Sequence, residues 1–170
     1  PDRISTGMDD FFKEYAPTPF GLVPELYPPM AKVPDVWEFG YKLSNGPQRI
    51  RIFNNLMWPY IRRAALRLIN EHPCDLLVTV HPVPVIPIIR ALRSGSPPFI
   101  TVVTDMVSTH AWWYNRRSDL VLVPTEIACQ QGVAYGLRPD QIRVTGLPVA
   151  QRFCLPVGDR LPIRTRLGWP

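Results

Sequence analysis

The chain has 170 residues, the size of a single domain, and its 46% of hydrophobic residues is enough to build a packed core. This composition excludes a disordered chain, and no apolar stretch reaches the roughly 18 residues that a membrane-spanning helix needs. The formal net charge of +5, in which arginine predominates, suits contact with phosphates or an anionic surface. Genomic composition alone would also explain that charge.

The cysteines and the first residues of the chain bear on its cellular compartment and on whether it is a fragment. Cys74, Cys129 and Cys154 are odd in number and lack C-x-x-C spacing, so we predict neither a disulfide framework nor a zinc site. A reducing compartment fits best. The start of the chain has neither the features of a signal peptide nor an initiator methionine. We therefore expect a fragment of a longer protein that is soluble or bound at a membrane surface.

The first half of the chain predicts one irregular segment and one helix. Ala16 to Pro34 is too rich in proline for a regular element. Pro47 to Pro73 has a helical pattern on both sides of Pro59, and this proline is expected to kink or break the helix. The apolar and the basic residues of the helix recur on different faces. We expect the inward set to be Ile61, Ala65, Leu68 and Ile69, and the outward set to be Arg62, Arg63 and Arg67.

From Asp75 onward, short apolar runs alternate with helical patterns, which is typical of β-α-β units and a parallel sheet. The predicted strands are Leu76–Val80, Phe99–Val103, Leu120–Val123 and Ile142–Thr145. The first three are continuously apolar, so we expect both of their faces to be covered. The predicted connecting helices are Pro84–Ser94, followed by Gly95, and Thr125–Tyr135, with Thr125 as N-cap and Gly136 after its end. The fold class is α/β, with a Rossmann-like parallel sheet flanked by helices.

Polar residues follow the strands, where an open parallel sheet forms its ligand crevice. They occur in His81-Pro82, Thr104-Asp105, Pro124-Thr125-Glu126 and Gly146-Leu147-Pro148. Asp105 is suited to accept a proton or bind a hydroxyl, and helix capping is the alternative reading. His81 precedes proline and is held extended, which aims its ring over the sheet edge; a core histidine is the alternative.

Other kinds of site would use some of the residue types found at this edge. Asp105, Ser108 and His110 suggest a hydrolase, but the chain has no G-x-S-x-G motif, and three polar residues in one turn rarely form a triad. A metal held by His81, His110 and Asp105 has no recognised ligand spacing. Neither G-x-G-x-x-G nor a Walker loop is present to hold a phosphate. We predict no metal and no cofactor.

An aromatic group, Trp112, Trp113 and Tyr114, is followed by Arg116 and Arg117. Nucleic-acid binding uses the same residue types, but no RNP, KH or zinc-finger pattern accompanies them, so we predict no nucleic-acid partner. Three consecutive aromatics cannot all face one core, and core packing therefore leaves at least one of them exposed. Tryptophan and tyrosine beside arginine suit a lipid interface. We expect the loop from Ser108 to Arg117 to touch a membrane rather than the core.

A series of motifs then gives a resemblance. "LLVTVHP", "TVVTDMVSTHAWWY", "DLVLVPTE", "GLRPDQIRVTGLPV" and "RFCLPV" occur in this order, with "DDFFKEYAPTPF" and "PELYPPM" upstream. Together they resemble the N-terminal domain of monogalactosyldiacylglycerol synthases and the related bacterial diacylglycerol glucosyltransferases. The resemblance implies the N-terminal half of a GT-B glycosyltransferase that moves a hexose from a UDP-sugar to diacylglycerol with inversion and without a metal. It also implies a cytoplasmic, monotopic protein on an anionic lipid surface.

The same resemblance assigns roles to residues. Residues 1–158 would be the acceptor-binding domain, lacking the family's first strand and its Gly-Gly-Gly-His loop, and 159–170 would begin the linker to an absent domain that binds the UDP-sugar. The family's His-Pro is His110-Ala111 here. The implied catalytic residues are Asp105, His110 and His81, although the catalytic base is expected outside this chain. The implied acceptor-binding residues are Thr125, Glu126, Trp112, Trp113, Tyr114, Gly146 and Pro148.

Two alternatives remain open at this point. The first is a non-catalytic α/β module that binds a nucleotide or a protein at the same edge. The second is a GT-B enzyme of other chemistry, such as a UDP-sugar epimerase or a peptidoglycan-precursor transferase. The sequence leaves galactose or glucose, processivity and oligomeric state undecided. We also expect the 170-residue chain alone to transfer no sugar, because a two-domain cleft needs both of its walls.

Overall fold

The computed structural model describes residues 4–22, 24, 25, 28, 29, 32–155 and 158–169. Its centre is a four-stranded sheet with the order β1-β2-β3-β4, in which every neighbouring pair is parallel. The strands are β1 Leu77–Thr79, β2 Phe99–Val102, β3 Leu120–Val123 and β4 Ile142–Val144. All four predicted strands are confirmed, and their ends agree with the prediction to within one residue. The α/β fold class and the Rossmann-like parallel sheet are confirmed with them.

Helices precede the sheet, connect its strands and follow it. The α-helices with defined bounds are α1 Pro34–Ser44, α2 Pro47–Glu71, α3 Val85–Ala91, α4 Glu126–Ala134 and α5 Leu161–Arg166. Short helical turns are formed by Phe11–Tyr15, Phe20–Leu22, Ala111–Trp113, Pro139–Gln141 and Gln151–Phe153. α3 joins β1 to β2 and α4 joins β3 to β4, whereas the loop between β2 and β3 has only the Ala111–Trp113 turn.

The predicted helices are confirmed with three differences. α3 ends at Ala91, three residues before the predicted end at Ser94, because Leu92 is extended. α2 runs continuously through Pro59, so a break at this proline is wrong, whereas a kink there stays a prediction. Buried residues lie on both sides of the proline, Ile50 and Asn54 before it and Ala65 and Leu68 among those after it, and this packing holds both halves in one helix. α1 was not predicted. The irregular segment Ala16–Pro34 includes residues 23, 26, 27, 30 and 31, where the prediction falls outside the described residues.

The first part of the core lies between α2, α3 and the sheet. Ala65 and Leu68 of α2 pack with Val85 and Ile89 of α3 and with Phe99 of β2. The predicted inward residues of α2 are buried or half-buried, and the predicted outward arginines are exposed. Burying this apolar stripe, at about 25 cal/mol per Å², fixes α2 on the sheet.

The helices cover one face of the sheet. Four strand residues share that face by register and pack in the buried clusters: Leu77, Phe99, Val121 and Ile142. The other face is apolar on β1 to β3, carries Arg143 on β4 and is incompletely covered. Val78, at the centre of β1, is 52% exposed. The expectation that both faces of the first three strands are covered is therefore wrong for β1, because α2, α3 and α4 all pack on the opposite face.

Candidate functional site

The carboxyl ends of β1 and β2 bring three predicted residues together. Asp105 is half-buried just after β2, and its Oδ2 accepts a 2.7 Å hydrogen bond from Nε1 of Trp113. Its charge acts on the rings of His81 and His110, since it raises the pKa of each against the lowering caused by burial. This hydrogen bond does not support the alternative of helix capping, because its donor is an indole N–H and not a backbone amide.

His110 is buried, and both of its ring nitrogens are occupied. It caps the Ala111–Trp113 turn through Nδ1, which accepts the Trp112 N–H at 3.2 Å. Nε2 lies 3.1 Å from Oγ of Ser44, which in turn donates to the Gly40 carbonyl at 2.7 Å. The ring is therefore the neutral tautomer with its proton on Nε2. Burial lowers the pKa of His110, and Asp105 opposes that shift. This geometry leaves His110 no free lone pair for accepting a proton.

His81 is more accessible. Its Nδ1 accepts the Val83 N–H at 3.3 Å, so the neutral ring carries its proton on Nε2. The backbone is held by Thr79, whose Oγ1 accepts the His81 N–H at 3.3 Å, and the ring packs edge-on against Phe12 with 5.6 Å between centroids. Although the residue is exposed at the surface, partial desolvation of the ring by its neighbours lowers the pKa of His81, while Asp10 and Asp105 raise it. His81 thus offers a neutral hydrogen-bond donor at the strand edge, and the core-histidine reading does not apply to this exposed residue.

The aromatic loop packs into the protein, contrary to the prediction that it touches a membrane. Trp113 is 1% exposed and lies with Tyr114 in the core cluster beside α4. Trp112 is half-buried between Phe53 and His110, and its indole nitrogen is buried without a hydrogen bond to a described residue. Successive side chains on a tight turn point in different directions, so the three aromatics pack against different neighbours. The membrane prediction for this loop is wrong for Trp113 and Tyr114.

Tyr114 belongs to a buried polar network. Its hydroxyl donates to the Ala128 carbonyl at 2.9 Å and lies 2.7 Å from Oγ1 of Thr109. Thr109 Oγ1 also donates to Oε1 of Gln131. Desolvation by burial raises the pKa of Tyr114 to about 12. These contacts hold the loop against α4. Packing and hydrogen bonding therefore explain why a tyrosine occupies position 114.

The residues after β3 and β4 lie at the same edge of the sheet. Thr125 caps α4 as predicted, since its Oγ1 accepts the Ala128 N–H at 3.2 Å, and it donates to the Met106 carbonyl at 2.7 Å. Glu126 and Pro148 are exposed. Gly146 has φ +81°, a left-handed conformation that favours glycine. Acceptor binding by Thr125, Glu126, Trp112, Gly146 and Pro148 stays a prediction.

α1 supplies site residues that the sequence did not reveal. The Tyr41 hydroxyl donates to the Ser108 carbonyl at 3.1 Å, and its ring packs edge-on against His110 with 5.0 Å between centroids. Asn45, which follows the helix, accepts the Ala111 N–H at 3.0 Å. Burial raises the pKa of Tyr41, and Asp105 adds to the effect. More than sixty residues separate α1 from this loop, so no local pattern could have predicted the contact.

Neither a metal-ligand cluster nor a membrane-spanning helix occurs in the described part of the chain. Within it, no three His, Cys, Asp or Glu side chains are grouped closely enough to hold a metal ion. No described helix combines the length and apolar character required to cross a bilayer. Cys74, Cys129 and Cys154 are free thiols.

A four-stranded parallel sheet with helices packed on it is a Rossmann-like α/β fold. Folds of this class bind ligands at the carboxyl ends of their strands, the edge that His81 and Asp105 follow here. The family model for monogalactosyldiacylglycerol (MGDG) synthase matches residues 1–149, and the chain belongs to that family. The sequence resemblance is confirmed.

Curated relatives agree with the family match. The chain is 27% identical to a probable chloroplastic MGDG synthase of Nicotiana tabacum, over 98% of this chain and 32% of the relative. It is 29% identical to the chloroplastic MGDG synthase of Spinacia oleracea, over 98% of this chain and 33% of the relative. The chain thus spans about a third of the length of these relatives. Their names place those proteins in the chloroplast, and the cytoplasmic location expected for this chain is not supported by them.

Proposed function

We propose that this chain is the acceptor-binding part of a hexosyltransferase that makes a glycolipid, transferring a hexose from a UDP-sugar to the free hydroxyl of diacylglycerol. The observation that carries the proposal is that His81 and Asp105 follow the neighbouring parallel strands β1 and β2, with Asp105 held by Trp113, in a chain of the MGDG synthase family. The family match favours this reaction over a non-catalytic module and over other GT-B chemistries.

The proposed reaction sets the requirements for the site. The acceptor oxygen forms a bond to the anomeric carbon while the bond from that carbon to the diphosphate oxygen breaks, and UDP leaves with the electron pair. The hydroxyl proton passes to a base, and inversion follows from attack opposite the leaving group. A carboxylate beside the acceptor hydroxyl orients it and stabilises the charge that develops as the proton leaves. We assign this role to Asp105, whose carboxylate is held by Trp113.

The two histidines are given different roles. His81 is exposed, and its protonated Nε2 is suited to donate to an oxygen of the acceptor or of the departing diphosphate. His110 is a positioning residue, because its ring is bonded to Ser44 and to the Trp112 backbone. The UDP-sugar itself would be bound by chain outside these 170 residues.

The test measures hexose transfer by the longest gene product that contains this chain, with UDP-galactose or UDP-glucose as donor and diacylglycerol vesicles as acceptor. We expect Asp105→Asn to lower kcat about a hundredfold, the order that general acid–base groups contribute. Asp140→Asn is the matched control, because Asp140 pairs with Arg138 on the surface. Unchanged turnover in a folded Asp105→Asn protein would contradict the role of Asp105, and transfer to a non-lipid acceptor alone would contradict the proposed function.

A further inference from the structure

The outward side of α2 exposes apolar side chains where a water-facing helix normally carries polar ones. We call the stripe formed by Arg49, Ile52, Leu56, Tyr60 and Arg63 the outer face of α2; its spacing of three or four residues aligns these side chains along the helix. Ile52, Leu56 and Tyr60 are 68%, 64% and 62% exposed. The opposite side of α2 is the buried one, so the stripe has no place in the core of this domain.

α1 adds a second apolar stripe next to the first helix turn of α2. Val36, Phe39 and Leu43 recur at i, i+3 and i+7, and all three are exposed. The two helices are fastened where they meet, because Nη1 of Arg49 donates to the Lys42 carbonyl at 2.6 Å. The pair therefore presents apolar surface on two consecutive helices, and large exposed apolar surface marks an interaction site.

α2 carries a large excess of positive over negative side chains. The helix contains five arginines and a single glutamate, and that Glu71 is engaged by Nε of Arg67 at 3.1 Å. Two open clefts flank Pro59, about 430 and 520 Å³ in volume, and Arg63 lines both of them. Tyr15, Tyr60 and Arg67 line the first, and Trp58 and Arg62 line the second. Guanidinium groups beside tyrosine or tryptophan suit phosphate headgroups above an apolar layer.

The apolar stripe and the arginines together favour one kind of partner among those that bind apolar surfaces. A second copy docking through the same face would bring Arg49 and Arg63 of both chains together, and like charges oppose such a two-fold contact. A free phosphate would use the arginines but leave the apolar stripe exposed. A bilayer with anionic headgroups satisfies both, because Ile52, Leu56 and Tyr60 enter the interface while arginines meet phosphates.

The same helices reach the candidate site. Phe53 of α2 packs against Trp112 with 5.5 Å between ring centroids, and Tyr41 and Ser44 of α1 contact His110. We propose that the outer face of α2, with the apolar stripe of α1, docks onto a bilayer containing anionic phospholipids and so holds the candidate site at the lipid surface. This inference rests on the proposed function in one respect, because that function places the acceptor in a bilayer.

The first experiment is co-sedimentation of the chain with vesicles of phosphatidylcholine, with and without phosphatidylserine, and without diacylglycerol. Ile52→Gln/Leu56→Gln should weaken binding at least about tenfold, since two exposed aliphatic side chains lose their place in the interface. Arg62→Gln/Arg63→Gln should weaken binding to anionic vesicles about thirtyfold at low salt, at about 1 kcal/mol per arginine, and flatten its salt dependence. The matched controls on α5 are Leu161→Gln, at a position 67% exposed, and Arg164→Gln; both should bind like the wild type.

Two outcomes measured on the chain itself would overturn the proposal. One is that both α2 double variants sediment with anionic vesicles as the wild type does. The other is that the wild type is a dimer without vesicles and Ile52→Gln/Leu56→Gln makes it monomeric, which would make this face an interface between copies.

A separate experiment distinguishes failure of the docking surface from failure of the proposed function. The α2 variants of the longest gene product should keep transfer to a short-chain diacylglycerol in solution while losing transfer to diacylglycerol in vesicles. Full transfer to vesicles by these variants would also overturn the docking role. Vesicle binding that depends on α2, without sugar transfer to either acceptor, would instead leave the docking surface standing and remove the glycosyltransferase function.

Discussion

Nε1 of Trp113 donates a 2.7 Å hydrogen bond to Oδ2 of Asp105, so a core tryptophan fixes the orientation of the candidate catalytic carboxylate. Replacing Trp113 with phenylalanine keeps most of the buried ring and removes the N–H donor. We expect a reduced kcat with little change in KM, because the carboxylate is no longer held in one orientation. Steady-state kinetics of the longest gene product give the result, and an unchanged kcat would show that this hydrogen bond has no role in turnover.

The core position of Trp113 predicts an unequal effect of two neighbouring substitutions. Trp113→Ala should lower the free energy of unfolding by about 3–5 kcal/mol, the usual cost of deleting a buried large aromatic side chain. Trp112→Ala should cost clearly less, since Trp112 is only half-buried. Denaturant unfolding of both variants measures the difference. Equal losses, or a larger loss at Trp112, would contradict the packing described for this loop.

The charge of Asp105 predicts a change in the titration of two histidines. It raises the pKa of both His81 and His110 against the stronger lowering by burial. Asp105→Asn removes that charge, so the pKa of each ring should fall further. Proton NMR titration of the two imidazoles measures this directly. A rise in either pKa would mean that Asp105 is not the carboxylate acting on that ring.

The same histidines make stability depend on pH. Both have a folded pKa below the ordinary value of 6.5, so around pH 6 the unfolded chain binds more protons than the folded one. Their contribution to stability is complete above about pH 6.5 and is lost as the pH falls through the folded pKa values. Melting temperature should therefore drop between about pH 7.5 and pH 5.5. His81→Gln should reduce this drop, and an equally steep profile in that variant would contradict its part in it.

Thr125 should behave as a helix cap. Thr125→Ala removes the acceptor for the Ala128 N–H and the donor to the Met106 carbonyl, so stability should fall by about 0.5–2 kcal/mol. Thr125→Ser keeps a hydroxyl at the same position and should restore most of the loss. Thermal unfolding of the two variants gives the comparison. If serine fails to rescue, the methyl group and not the hydroxyl accounts for the effect.

The sequence alone determined the sheet and its connections. β1 to β4 were predictable because apolar runs between turn residues have few other stable arrangements than a buried parallel sheet, and Thr125 at the start of α4 is a local capping signal. The edge at which Asp105 and His81 both lie followed from the same reasoning, since parallel strands place their carboxyl ends together.

Only the tertiary structure decided how the site is surrounded. Trp113 and Tyr114 are core residues because the turn that holds them packs against the sheet and α4, and their sequence is equally compatible with an exposed aromatic loop. Ser44 and Tyr41 reach His110 across more than sixty residues, and the continuity of α2 through Pro59 depends on packing that overrides a local helix breaker. Local sequence patterns report backbone preference and burial, whereas contacts between distant segments are fixed by how whole helices pack on the sheet.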